Sequence, residues 1–382
     1  MISLNQERLT QLLDARFAGD LASERVSGAA ACVMQDGACV YRRFVGTAVP
    51  GENVPVDEKS LFRLASMTKP VTAVAVLLLA EQGKLHLDDP IEKYLPEFRD
   101  RRLWSLGADG EPVDCGAIKQ KPTILHLLTH TSGLGGGALG DRATAQMPQE
   151  AKQDLATATA YFATQGLGFE PFTKQEYSPV VAFDVLARIV EVISGEQFGS
   201  FLKRFIFDRC EMPSTGFLPS ESQWSHLVTM QDFRDGHAVA VHGKEGCVFE
   251  DYPPTYELGG AGLISTLDDY VHFAEMLREG GAYRGCRVLG EKWTKLMTAP
   301  VVPPSVQAGY KRWGLSVRVI VGEGYRLLPV GAYGWGGVFG TYFWVDPVNH
   351  ITAVYMRNSY YDGGFVSRIS HHFEEDVHKA LS

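Results

Sequence analysis

Phe62-Arg63-Leu64-Ala65-Ser66-Met67-Thr68-Lys69 is the stretch on which the reading of this chain turns, together with the apolar run next to it. After Pro70 comes VTAVAVLLLA, residues 71–80, with no charged side chain. The pattern predicts a helix over 66–82, apolar nearly all round and therefore buried, closed by Gly83. Positions three apart share a helix face, so the Ser66 hydroxyl and the Lys69 amine can meet. A serine at the start of a helix also lies beside unpaired backbone N–H groups and the positive end of the macrodipole. A serine alcohol attacks poorly without a base. A lysine amine ordinarily keeps its proton up to about pH 10.4, and burial lowers that value. Ser66 is thus a candidate nucleophile and Lys69 its proton partner.

The four-residue pattern occurs twice. The second copy, Ser200-Phe201-Leu202-Lys203, falls inside a helical stretch at 198–207 with no helix start beneath its serine, and reads as a solvated face. Two further segments carry possible chemistry. Tyr177-Ser178-Pro179 contains a tyrosine that, held near a lysine, serves as a base or proton relay; taken alone it reads as a half-buried loop tyrosine. Gly334-Trp335-Gly336-Gly337-Val338-Phe339-Gly340-Thr341 is glycine-rich at the edge of a strand, where backbone can approach a ligand closely. An exposed N–H there can join that of Ser66 as an oxyanion hole. Taken alone it reads as a turn before a core strand.

The totals remove several function classes. The 382 residues are 45% hydrophobic and 21% charged with a net charge of -9, ordinary for a globular protein and wrong for a nucleic-acid or membrane-surface partner. Cys32, Cys39, Cys115, Cys210, Cys247 and Cys286 form no CxxC pair, which points to free thiols in a reducing compartment. The N-terminus shows no basic start and apolar stretch of a signal peptide, and the run 71–80 is about half a membrane span, so a cytoplasmic location is expected. His126 and His130 sit four apart, but there is no HExxH and no third ligand, so no metal is expected. No GxSxG elbow occurs.

Along the chain, an amphipathic helix is expected over 4–17 and a hairpin over 28–46 around Asp36-Gly37. Helical pieces fill about 120–255, including 179–194. Strands are expected at 313–321, 325–330, 338–345 and 351–357, with a closing helix at 365–381. The expected fold is an α/β (α+β) arrangement. Residues 1–75 and 256–382 build a discontinuous sheet domain, 76–255 a mainly helical domain, and the active site occupies the cleft between them.

Further landmarks give these motifs a family. Residues 62–69 resemble the nucleophile helix of class C β-lactamase-like serine hydrolases. Gly83-Lys84-Leu85-His86-Leu87-Asp88-Asp89-Pro90, Leu127-Leu128-Thr129-His130-Thr131-Ser132-Gly133-Leu134 and Gly259-Gly260-Ala261-Gly262-Leu263-Ile264-Ser265-Thr266 resemble that family's later signatures, in the same order. The resemblance implies a β-lactamase/transpeptidase-like fold, an antiparallel sheet flanked by helices plus a helical domain. It implies an acyl-enzyme on Ser66, proton transfer by Lys69 and Tyr177, and an oxyanion hole from the N–H groups of Ser66 and Val338. It implies no cofactor and a small-molecule ester or amide substrate.

Two positions depart from the family pattern. Pro179 stands where β-lactamases and penicillin-binding proteins carry Asn, and Trp335 stands in place of the Lys of KTG. Tryptophan offers an apolar surface and one N–H in place of positive charge. That substitution resembles family VIII carboxylesterases. A substrate pocket around Trp335, Gly336, Gly337 and Phe339 is therefore expected to favour uncharged acyl esters, with weak β-lactam hydrolysis alongside. The alternatives are a D-amino-acid peptidase or amidase, an acyltransferase, and a catalytically silent binding protein on the same fold.

Overall fold

The computed structural model describes residues 2–241, 252–361 and 368–381. Cys247 and the first residues expected in the closing helix lie outside them. The chain opens with α1 (Gln6–Ala22), whose Asn5 side chain caps the first turn by accepting from the Arg8 N–H. A tight hairpin follows, β1 (Gly28–Gln35) and β2 (Ala38–Gly46). Its turn residues Asp36 and Gly37 both have positive φ, as a two-residue hairpin turn requires.

After a one-turn 3-10 segment, Ala65–Met67, comes α2 (Thr68–Glu81). The sequence expectation for α2 holds: every residue from Thr68 to Ala80 is buried. Gly83 takes positive φ just after its end. Farther along, after several shorter helices, are α3 (Val181–Ser194), which packs on α2, and α4 (Leu267–Arg278). The strands β3 (Lys311–Trp313), β4 (Arg318–Ile320), β5 (Tyr333–Gly336), β6 (Tyr342–Asp346) and β7 (Ile351–Met356) then form, followed by α5 (Arg368–Lys379).

The strands join as one antiparallel seven-stranded sheet in the order β3-β4-β5-β6-β7-β1-β2. Alternation along each strand builds two cores. Ala29, Ala31, Val33, Trp344 and Tyr355 point to one face, where α1 and α5 supply Leu9, Leu13, Phe17, Phe373 and Val377. Cys32, Trp335, Phe343 and Val354 point to the other, a core continuous with α2, α3 and α4. Both ends of the chain thus cover the outer face, and the inner face receives the rest of the molecule. Between α2 and α4 the chain also carries two small hairpins, Arg102–Leu106 with Pro112–Ala117 and Gln231–Arg234 with His237–Ala240.

Three expected strands are corrected. The segment 313–321 is split into β3 and β4 by a turn in which Gly314 N–H donates to Val317 O. Residues 325–330 form no strand; Pro329 there has no N–H to give a ladder. Val338 precedes β6 rather than opening it. It lies in a turn closed by Gly340 N–H to Gly337 O, with Gly340 at positive φ. Among the described residues no helix is long and apolar enough to cross a membrane.

Candidate active site

Ser66 is presented by a strained turn. Ala65, immediately before it, has φ +47 without being glycine, an arrangement that persists only when its surroundings fix it. They do so through Leu64. Its N–H donates to Leu263 O at 2.8 Å, and its carbonyl accepts from Thr341 Oγ1 at 2.9 Å. Tyr270 OH, from α4, holds Met67 O at 2.9 Å. Gly337, just past the end of β5, lies directly on this turn. A Cβ there would come within 2.3 Å of both Leu64 O and Thr341 Oγ1, so only glycine permits the approach.

The Ser66 Oγ is half-buried and shared by two groups. Lys69 Nζ lies 3.0 Å away and Tyr177 OH donates to it at 2.7 Å. Lys69 has no exposed surface, and its amine is held by Pro179 O at 2.5 Å and Gly260 O at 2.7 Å. An ammonium therefore has all three protons placed. A neutral amine gives two protons to the carbonyls and turns its lone pair toward Ser66. Burial pushes the Lys69 pKa down to about 7, against the opposing pull of the Asp184 carboxylate.

Asp184, in the first turn of α3, is itself fully buried. It accepts from Tyr256 OH at 2.6 Å and from the Gly260 N–H at 3.0 Å. Burial raises its pKa to about 6, while those hydrogen bonds and Lys69 hold it down. Gly260 is thus bound at both ends, its N–H to Asp184 and its carbonyl to Lys69.

Tyr177 is supported by aromatic neighbours. His130, Trp313 and Trp335 lie with ring centroids 4.6, 6.1 and 5.2 Å from it, and Trp313 is stacked on it. Burial keeps the phenol above its ordinary pKa. Its hydrogen bond with Ser66 and the nearby Trp335 indole oppose that rise, as does the charge of Arg318. His130 Nδ1 accepts the Ser178 N–H at 3.1 Å, which fixes the loop beside Tyr177. Burial, then Lys69 and Arg318, hold His130 well below the usual imidazole pKa, so it packs as a neutral ring.

The expected site residues fall into two groups. Ser66, Lys69 and Tyr177 meet at one oxygen, with Gly337 against the same turn and Gly336 next to it at the end of β5. Trp335 is only 3% exposed. It packs on Trp313 with centroids 4.5 Å apart and against the Tyr177 ring at 5.2 Å instead of presenting an open wall. Phe339 is buried beside Ala65 and Met230. Val338 is exposed at the turn beyond Gly337.

His126 and His130 share no helix face. The helix Ile124–Leu128 ends between them, and His130 has φ +57. Among the described residues no three His, Cys, Asp or Glu side chains cluster as metal ligands. Sequence reasoning missed Asp184, whose signal was a lone carboxylate among Val181, Ala182, Phe183, Val185 and Leu186. It also missed the two carbonyls that hold Lys69. Pro179, which has no side-chain amide, holds the amine with its backbone carbonyl.

Comparison with known proteins fits this geometry. The family model described as Beta-lactamase matches residues 13–372. Esterase EstB of Burkholderia gladioli is 31% identical over 94% of this chain and 93% of its own length. The structure of EstCE1, described as a hydrolase with promiscuous acyltransferase activity, superposes with a TM-score of 0.81. It has 23% identity and covers 98% of this chain and 99% of its own. A family VIII carboxylesterase structure superposes with a TM-score of 0.76 at 20% identity, covering 98% of both chains. A family match over nearly the whole length, with a relative above 30% identity, settles the kinship: the chain belongs to the beta-lactamase family of serine hydrolases.

Proposed function

We propose that this serine hydrolase is a carboxylesterase that forms its acyl-enzyme on Ser66. The observation that carries the reading is the single Ser66 oxygen shared by a buried Lys69, with its pKa near 7, and by Tyr177. Lys69, with two protons committed to Pro179 O and Gly260 O, takes the third from Ser66 as the oxygen attacks the ester carbonyl. The N–H groups of Ser66 and Val338 receive the oxyanion. Tyr177, kept neutral by burial, passes its proton to the leaving alkoxide and recovers one from Lys69. Water entering by the same route releases the acid.

Trp335 supports the choice of ester over β-lactam. It brings no cation to meet a substrate carboxylate, and its ring packs against Tyr177. Gly337 from the sheet and α2 and α3 from the helical part all contribute to the site, which supports placing it in a cleft between a sheet domain and a mainly helical domain. The five described cysteines are free, which fits a reducing, cytoplasmic setting.

The test is hydrolysis of p-nitrophenyl butyrate by the wild type and by Ser66→Ala, with nitrocefin and a D-alanyl dipeptide as comparison substrates. Loss of ester turnover in a folded variant, and fluorophosphonate adduct mass on the Ser66 peptide alone, are expected. Retained turnover in Ser66→Ala, or faster wild-type turnover of nitrocefin or the dipeptide than of the ester, would overturn the proposal.

A further inference from the structure

A second feature shares no residue with the Ser66 site. Between the β1–β2 hairpin and α4 lies a cavity of about 370 Å³ lined by Cys32, Met34 and Cys39, with Arg42 and Asp268 beside them. Cys32 Sγ lies 3.7 Å from Met34 Sδ and 3.9 Å from Cys39 Sγ.

A β-bulge brings these sulfurs together. Val33 faces Tyr41, but Met34 faces Cys39, so Val40 is the extra residue on β2. The slip turns Cys39 onto the face that Cys32 and Met34 already occupy. Cys32 itself pairs with Arg42, which leaves it diagonal to Cys39. Diagonal neighbours on a sheet stand about 7–8 Å apart. A disulfide closes only when the Cα atoms are within about 7 Å. At 3.9 Å the two sulfurs are unbonded thiols side by side.

A metal–sulfur bond of about 2.3 Å places two sulfurs of a tetrahedral or trigonal centre about 3.8–4.0 Å apart, close to the spacing found here. Two thiolates and a thioether are soft ligands, suited to Cu(I). We propose that Cys32, Met34 and Cys39 form a three-sulfur site for a soft monovalent cation, Cu(I) or Ag(I). Binding releases the two thiol protons, and the centre then carries one net negative charge. The Arg42 guanidinium lies in the same cavity and, shared with Asp268, offsets part of that charge. Asp268, which accepts from Arg42 Nε at 2.9 Å, holds that guanidinium in place.

The experiment titrates Cu(I) into the reduced full-length protein under nitrogen, against the chelator bicinchoninate. One equivalent is expected to survive chelator competition. Cys39→Ser changes an exposed side chain and is expected to weaken that binding by more than about 100-fold, since even outer-shell changes cost 10–100-fold. Met34→Leu, which conserves volume, is expected to weaken Cu(I) uptake while leaving Zn(II) uptake unchanged. Equal Cu(I) uptake in Cys39→Ser would assign the metal to other thiols and overturn the proposal. So would unchanged Cu(I) affinity in Met34→Leu. Neither variant depends on replacing the buried Cys32.

Discussion

Ser66–Lys69 and Ser200–Lys203 share one four-residue pattern and have opposite fates. Lys69 is fully buried, with its amine on Ser66 and two carbonyls. Lys203 leaves 69% of its side chain in solvent and pairs with Asp208. Ser66 follows a strained Ala65 at a helix entrance. Ser200 lies exposed in the helix Phe198–Leu202, which then loosens into a π-turn. The spacing is common to both copies, so spacing is not what makes a reactive pair. The difference comes from elsewhere in the chain. Pro179 and Gly260 take up the amine protons, and packing around α2 removes the water that would otherwise keep the amine charged.

The comparison breaks most sharply under paired truncation. Lys69→Ala is expected to lower kcat/KM for p-nitrophenyl butyrate by about a thousandfold, the scale of a positioned general base. Lys203→Ala is expected to leave it unchanged, since an exposed ion pair contributes little. Steady-state kinetics on both variants checks this. Comparable losses in the two would mean that the environment of Lys69 has no special bearing on the reaction.

The sequence disclosed side chains better than it disclosed surroundings. Ser66, Lys69 and Tyr177 were legible because each is a reactive residue type inside an ordered set of family landmarks. The hairpin at Asp36-Gly37 was legible because its turn needs positive φ, which those residue types tolerate. Pro179 O and Gly260 O were invisible because every residue has a carbonyl, and only the fold decides which ones converge. Trp335 was legible as the residue standing in the family's KTG place. Its environment was not, because a strand residue faces either way until the register is known. The strand expected at 325–330 failed for a related reason. Leu328 is buried there, but it reaches the outer core from a loop that joins no strand ladder.

A smaller effect sharpens the electrostatic half of the comparison. With Lys69 near pKa 7, the amine is protonated below that pH and accepts no proton. The logarithm of kcat/KM is therefore expected to climb with a slope of about one up to pH 7 and then level. Asp184 raises the Lys69 pKa, so Asp184→Asn is expected to move this limb to lower pH, by roughly one unit. Asparagine keeps an oxygen for the Gly260 N–H, which limits the structural change. A limb that stays in place or moves upward would remove Asp184 from the control of Lys69.

The smallest expected effect concerns Trp335. If the Trp335 indole N–H steadies the Tyr177 phenol, then Trp335→Phe keeps an aromatic ring against Trp313 and removes only the N–H. Loss of one such donor corresponds to about three- to tenfold in kcat. KM for a short ester should hold, because the ring is buried and makes little substrate surface. The phenol, freed from a donor that favours its anion, should titrate higher still, and any alkaline limb of the pH profile should move up with it. A variant that instead raises KM at constant kcat would return Trp335 to the role of pocket wall expected from the sequence. The split between kcat and KM thus distinguishes a residue that steadies Tyr177 from one that touches the acyl group.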